Sequence, residues 1–213
     1  GGWNVSKVSN MESMFRGASS FNQEIGGWNV SKVSNMANMF YNADSFNRDL
    51  SNWDVSKVSS FLYMFRSANL FNGNVSGWDT SNGADFRWMF QDTLNFNQSI
   101  SNFDFSGTTI LTGMLQGASS FNQDISSWNM SHITQIGSLF EGASSFNQDI
   151  SSWDVSNVVG INYLFQDASA FNQDISNWDV SSVTQMAFTF SGASSFNQDL
   201  NQWNVSQVTN MGD

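Results

Sequence analysis

The sequence predicts one elongated repeat solenoid, built of short parallel β-strands and short helical segments. Three observations carry that prediction. Trp3, Trp28, Trp53, Trp78, Trp128, Trp153, Trp178 and Trp203 recur with a period of 25, and Phe103 fills the remaining place. A Phe-Asn pair keeps the same period, from Phe21-Asn22 through Phe46-Asn47 to Phe196-Asn197. A serine stands three places after every tryptophan position, from Ser6 through Ser31 and Ser56 to Ser206. No unit carries an insertion or deletion, so 213 residues make about eight and a half coils of 25 residues. One such coil cannot bury its apolar side chains alone, whereas stacked copies bury them in continuous columns. A single domain is therefore expected over 1–213, and its start in mid-repeat at Gly1 suggests a segment of a longer array.

The unit that begins at Ile25 supplies the elements in order. Its candidate core is Ile25, Trp28, Val30, Val33, Met36, Met39, Phe40, Ala43 and Phe46. Trp28 and Val30 alternate with polar neighbours, the period of a strand. Such strands, paired in parallel from coil to coil, would give a body on the order of 40 Å long. From Val33 to Ala43 the apolar spacing becomes three and four, which predicts one or two helical turns. Asn42 to Asn47 is rich in turn formers and closes the coil.

Composition narrows the chemistry. Hydrophobic residues are 40% and aromatics 15%, enough for a substantial core, while charged residues are only 12%, about half the usual share. There is no Cys, which excludes disulfides and cysteine-based zinc or redox sites. No apolar run is long enough to span a membrane. All seven basic residues (Lys7, Arg16, Lys32, Arg48, Lys57, Arg66 and Arg87) lie in the first 87 positions, balanced there by seven acids. The remaining 126 residues hold eleven acids and no Lys or Arg. Nucleic acid is not expected as a partner, because neutralising phosphates requires a basic face. A cation or a basic surface suits the second half better.

The spacing Ile25-x-x-Trp28-x-Val30-x-x-Val33 is also the L-x-x-L-x-L spacing of leucine-rich repeats. The full unit, W-N/D-V-S-x-V-S/T-x-M-x-x-M-F-x-x-A-x-x-F-N-x-D/E-I/L-S, resembles the BspA-like leucine-rich repeat surface proteins over essentially the whole chain. That resemblance implies a leucine-rich-repeat-like coil, an extracellular or cell-surface location, and a role in adhesion or in binding a protein or glycan. It brings no catalytic residues and no cofactor. Two units depart from the pattern. Thr80 and Gly83 replace valines and Arg87-Trp88 enters the helical stretch; in the next unit Phe103, Phe105 and Leu115 replace Trp, Val and Phe, and Gly107-Thr108-Thr109 interrupts the pattern. Either drift in a tolerant array or a specialised binding patch accounts for them.

Three ladders are the candidate sites. The residue after each tryptophan position (Asn29, Asp54, Asp79, Asp104, Asp154 and Asp179 among them) points out of the expected strand. It forms either a binding face or a solvated stripe bonded to neighbouring backbone. Asp124, Asp149, Asp174 and Asp199, one per coil, are candidate calcium ligands. Calcium takes six to eight oxygens, and neither an EF-hand loop nor a calcium-binding nonapeptide is present. Asn22, Asn47, Asn72, Asn97, Asn122, Asn147, Asn172 and Asn197 are expected to be structural, satisfying backbone groups in solenoid turns. His132, the sole histidine, has no evident partner for a triad or zinc site. No catalytic activity is expected. The competing role is that of a structural spacer or filament, joined to neighbouring repeats or copies end to end.

Overall fold

A computed structural model of the protein describes residues 2–212. Each unit proves to be a succession of tight turns. In the second unit (25–49) the amides of Trp28, Val33, Met39, Tyr41, Ala43 and Phe46 donate to carbonyls three residues back, at 2.8–3.1 Å. The intervening amides of Met36, Asn38, Phe40 and Asn42 donate to the carbonyls of Ser60, Leu62, Met64 and Arg66 in the third unit (50–74), at 2.8–3.0 Å. Alternate peptide groups thus close turns and join coils. From Met36 to Ala43 every amide is bonded, Ala37 to the Asn35 side chain, as burial demands.

The predicted solenoid of short strands plus short helical segments is therefore wrong in its elements. No helix occurs among the described residues, and strand pairing shrinks to isolated parallel bridges such as Asn10 with Asn35 and Asn35 with Ser60. The cause is a left-handed backbone at two fixed positions of each of the first eight units. Ser13, Asn38, Tyr63, Trp88, Ser138, Tyr163 and Phe188 have φ of 52–59°, with Gly113 at 63°. Four places later, Asn42, Ser67, Asp92 and Asp167 have φ of 54–57°, and Gly17, Gly117, Gly142 and Gly192 have φ of 68–71°. A left-handed residue in each successive turn forbids a right-handed helix. The apolar spacing of three and four is here the spacing of turn corners. The strand-like alternation has a similar origin: Trp53 and Val55 are buried and Asp54 exposed, but they lie between turns closed at Trp53 and Val58.

The core is a set of side-chain columns running from coil to coil. All nine candidate core residues of the second unit are buried. Phe40, Phe65 and Phe90 stack at 5.4 and 5.5 Å between ring centroids, and Phe46, Phe71 and Phe96 at 5.8 and 6.0 Å. Buried indoles need a partner for their one polar atom. The Nε1–H of Trp53, Trp78, Trp128, Trp153 and Trp178 finds it in a carbonyl of the preceding unit (Ile25, Leu50, Ile100, Ile125 and Ile150), at 2.9–3.1 Å.

The two divergent units meet in a seam. Parallel bridges join Ser60 to Asp85 and Ile110 to Gln135, but none joins Asp85 to Ile110. Phe61 and Leu111 donate to the next coil, while the equivalent amide of Phe86 makes no such bond among the described residues. Phe105 meets Phe86 and Trp128 edge-on, at 88° and 82°, where the other columns stack. Compensation comes from Thr80, whose buried hydroxyl accepts the Asp104 N–H at 2.7 Å and donates to the Asp104 carbonyl at 3.0 Å. In a linear array stability is carried by nearest-neighbour interfaces. Hydrogen exchange is therefore expected to be faster at Phe86 and Thr109 than at Phe61 and Thr134. Equal protection at both pairs would show that the seam is not a weak interface.

Candidate functional site

The Phe-Asn ladder runs through the stack as an unbroken chain of hydrogen bonds. Oδ1 of Asn22, Asn47, Asn72, Asn97, Asn122, Asn147 and Asn172 accepts the backbone N–H of the equivalent asparagine in the next coil, at 2.9–3.0 Å. Asn197 ends the series as a donor to Asn172. Gln98, Gln123, Gln148, Gln173 and Gln198 donate to the same oxygens from the side.

The residue after each tryptophan position sits in a short polar turn. Oδ1 of Asn29, Asp54, Asp79, Asp104, Asp154 and Asp179 accepts the N–H of the serine two places on, at 2.7–3.2 Å. At Asn29, Asp54 and Asp154 the serine hydroxyl joins the same oxygen, at 2.6–2.7 Å. One oxygen is thus committed to the fold, and the other atoms of each side chain face solvent. Each of these coils presents the group at the same place, held by the same hydrogen bond.

Asp124, Asp149 and Asp174 cap turns in the same way, through the N–H of Ser126, Ser151 and Ser176, and Asp199 does so through Asn201. The four therefore form a row of separate turn caps. Among the described residues no group of three or more His, Asp or Glu side chains is arranged to hold a metal ion. His132 hydrogen-bonds the Phe105 carbonyl at 2.9 Å, tying the fifth and sixth units together.

These bonds give the stability of the protein a pH dependence. The hydroxyl and then the N–H of Ser56 hold the Asp54 carboxyl below the usual carboxylate range, and Ser156 acts likewise on Asp154. A folded pKa below the unfolded one adds stability that is full above the unfolded value of about 3.9. That stability is lost as pH falls through the lowered folded value. The urea midpoint is expected to hold between about pH 7 and 5 and to fall below about pH 4. Asp54→Asn with Asp154→Asn should blunt the fall, because Asn29 and Asn129 make the same turn without a titrating group. An unchanged acid limb would assign the pH dependence to other groups.

A further arrangement lies outside these ladders. Arg16 and Arg66 hold their guanidinium carbons 4.8 and 5.3 Å from the centre of the Tyr41 ring. Arg66 also covers Tyr63 at 5.1 Å, and Tyr63 stacks on Trp88 at 5.1 Å. The sequence signals only the Arg87-Trp88 end of this group, since the other members come together only when the coils stack. Two hollows are open coil faces at the ends of the stack, one lined by Trp3, Phe15, Phe21 and Trp28, the other by Met186, Phe188, Phe190 and Met211. Their walls are residue types that an adjacent coil covers elsewhere.

Fold and ladders together define a repeat protein, a stack of turn-built coils that offers periodic polar rows. The family profile described as "Mycoplasma protein of unknown function, DUF285" matches residues 1–103, 45–140, 71–159 and 124–213, and the chain belongs to that family. No curated protein and no solved structure matches it. No helix among the described residues is long and apolar enough to cross a membrane.

Proposed function

We propose that the protein is an extracellular or cell-surface recognition module of the BspA-like kind, binding a protein or glycan along its regular face without catalysis. The observation that supports this reading is the repeated Asn/Asp-x-Ser turn, which holds an amide or carboxylate by the same hydrogen bond in coil after coil. A partner that touches several coils gains from many weak contacts at once, and a rigid presenting surface loses little order on binding. Glycan-array and surface-plasmon screening of the protein against Asp54→Ala, Asp79→Ala and Asp154→Ala variants tests it. Binding that survives removal of all three side chains rejects this face.

The competing role, a spacer or filament, draws support from the uniform columns, since any coil of such a stack can receive another. Sedimentation over a range of concentrations separates the two. End-to-end growth favours the filament, and a monodisperse particle with a ligand favours recognition.

A further inference from the structure

Small polar residues dominate the outer surface of this array, and the coils close without large ones. At the first left-handed position half of the units carry a small residue, Ser13, Asn38, Gly113 or Ser138, yet Tyr63 and Trp88 stand there with φ of 54° and 52°. A bulky side chain in that conformation is strained relative to glycine. Four units later Tyr163 and Phe188 repeat the aromatic pair, stacked at 5.3 Å, but with no arginine beside them.

The earlier pair is surrounded by guanidinium groups. Arg16, Tyr41 and Arg66 occupy one position in three successive coils, and both guanidinium groups lie over the Tyr41 ring. Arg66 bridges to Tyr63, Tyr63 stacks on Trp88 at an interplanar angle of 10°, and Arg87 lies 5.9 Å from the Trp88 ring. Gly113 in the next coil leaves the space that the Trp88 indole fills, since a Cβ there would strike the ring. Arg87 is held in a two-pronged ion pair by Asp85, at 2.8 and 2.9 Å. Neither Arg16 nor Arg66 makes an ion pair among the described residues, and the buried Nε of Arg66 finds no acceptor. Asp92 lies close enough to feel the Arg66 charge without pairing to it.

We propose that this stripe, Arg16–Tyr41–Arg66–Tyr63–Trp88, binds an acidic polysaccharide, a linear chain bearing carboxylate or sulfate groups. Guanidinium is the group best matched to such anions, through paired N–H donors. Stacking on Tyr41 and Tyr63 fixes the two free arginines before any ligand arrives, so less order is lost on binding. They stand two coils apart, roughly 10 Å along the stack, which suits a partner whose charges repeat along a line. A nucleic acid would need free ring faces for its bases. Here guanidinium groups lie over Tyr41 and Tyr63, and Trp88 lies between Tyr63 and Gly113. An acidic peptide is more flexible than a sugar chain and would lose more order on this rigid stripe. The acidic second half repels any polyanion, confining it to the first four coils. This surface is separate from the Asn/Asp ladder, so the two readings stand or fall on different variants.

The test is calorimetric titration of the whole chain with heparin, hyaluronan, neutral dextran, poly-glutamate and single-stranded DNA at low and moderate salt. Binding to heparin or hyaluronan, with none to dextran, is expected. Heparin alone would identify sulfate as the recognised group, and both together a shared anionic motif. Each of Arg16→Gln and Arg66→Gln should weaken binding by about tenfold, and Tyr63→Ser with Trp88→Ser should weaken it further. Tyr163→Ser with Phe188→Ser should leave it unchanged. The proposal is overturned if no acidic polysaccharide binds, if Arg16→Gln and Arg66→Gln bind as well as the parent, or if poly-glutamate or DNA binds more tightly. Thermal melts of every variant, matched to the parent, make a loss of binding attributable to the stripe.

Discussion

Phe65→Ala is expected to lower the unfolding free energy by about 3–5 kcal/mol. Phe65 is fully buried and has ring neighbours on all sides. It stacks on Phe40 at 5.4 Å in the preceding coil, on Phe90 at 5.5 Å in the following coil, and on Phe71 at 4.0 Å within its own. Truncation removes the apolar area and leaves a cavity in the middle of a column. That cavity cannot collapse readily, because the coils above and below are held in register by the backbone bonds of Phe40 to Met64 and Phe65 to Met89. A short linear array transmits the loss to both neighbours. Urea denaturation should show a lower midpoint, with a reduced slope if the array breaks into blocks at the third coil. A change below about 1 kcal/mol would mean that the column is not close-packed there.

The core was readable from the sequence because eight copies of one pattern reinforce each position. A single Val33 is ambiguous, but a hydrophobe recurring at that place in most units is not. The elements differ from those the spacing predicts for a physical reason. Consecutive tight turns bring a side chain inward every three or four residues, and so does a helix, so periodicity alone does not separate them. One clue was present. The second left-handed position is occupied only by Gly17, Asn42, Ser67, Asp92, Gly117, Gly142, Asp167 and Gly192, residues that tolerate or favour turn conformations. The first position gave no such warning, since Tyr63, Trp88, Tyr163 and Phe188 are poor candidates for a left-handed backbone. The polar rows were visible as rows. Which atom each side chain uses, and for which coil, depends on turns that no single unit reveals. The Arg16–Tyr41–Arg66 stack depends on them in the same way, because its members are distant in sequence and meet only through coil register.

Gly142→Pro is expected to cost more than about 3 kcal/mol and, in the marginal case, to unfold the coils around it. Gly142 has φ of 68°, whereas the proline ring holds φ near −65°. Its N–H donates to the Gln166 carbonyl at 2.7 Å, and proline has no N–H to donate. Both losses fall on the same joint between the sixth and seventh units. The companion variant Gly142→Ala isolates the backbone and decides the architecture by its sign. A Cβ there would lie 3.4 Å from Gly117 Cα, an ordinary contact, so sterics against neighbours contribute little. In a helix the change would stabilise by about 1 kcal/mol. In a turn that requires a left-handed residue it should destabilise by about 1–2 kcal/mol. Thermal or urea melts of the two variants beside the parent measure both effects. Stabilisation by alanine would restore the helical reading of this segment, while destabilisation by both, with proline the larger, follows from the stacked turns.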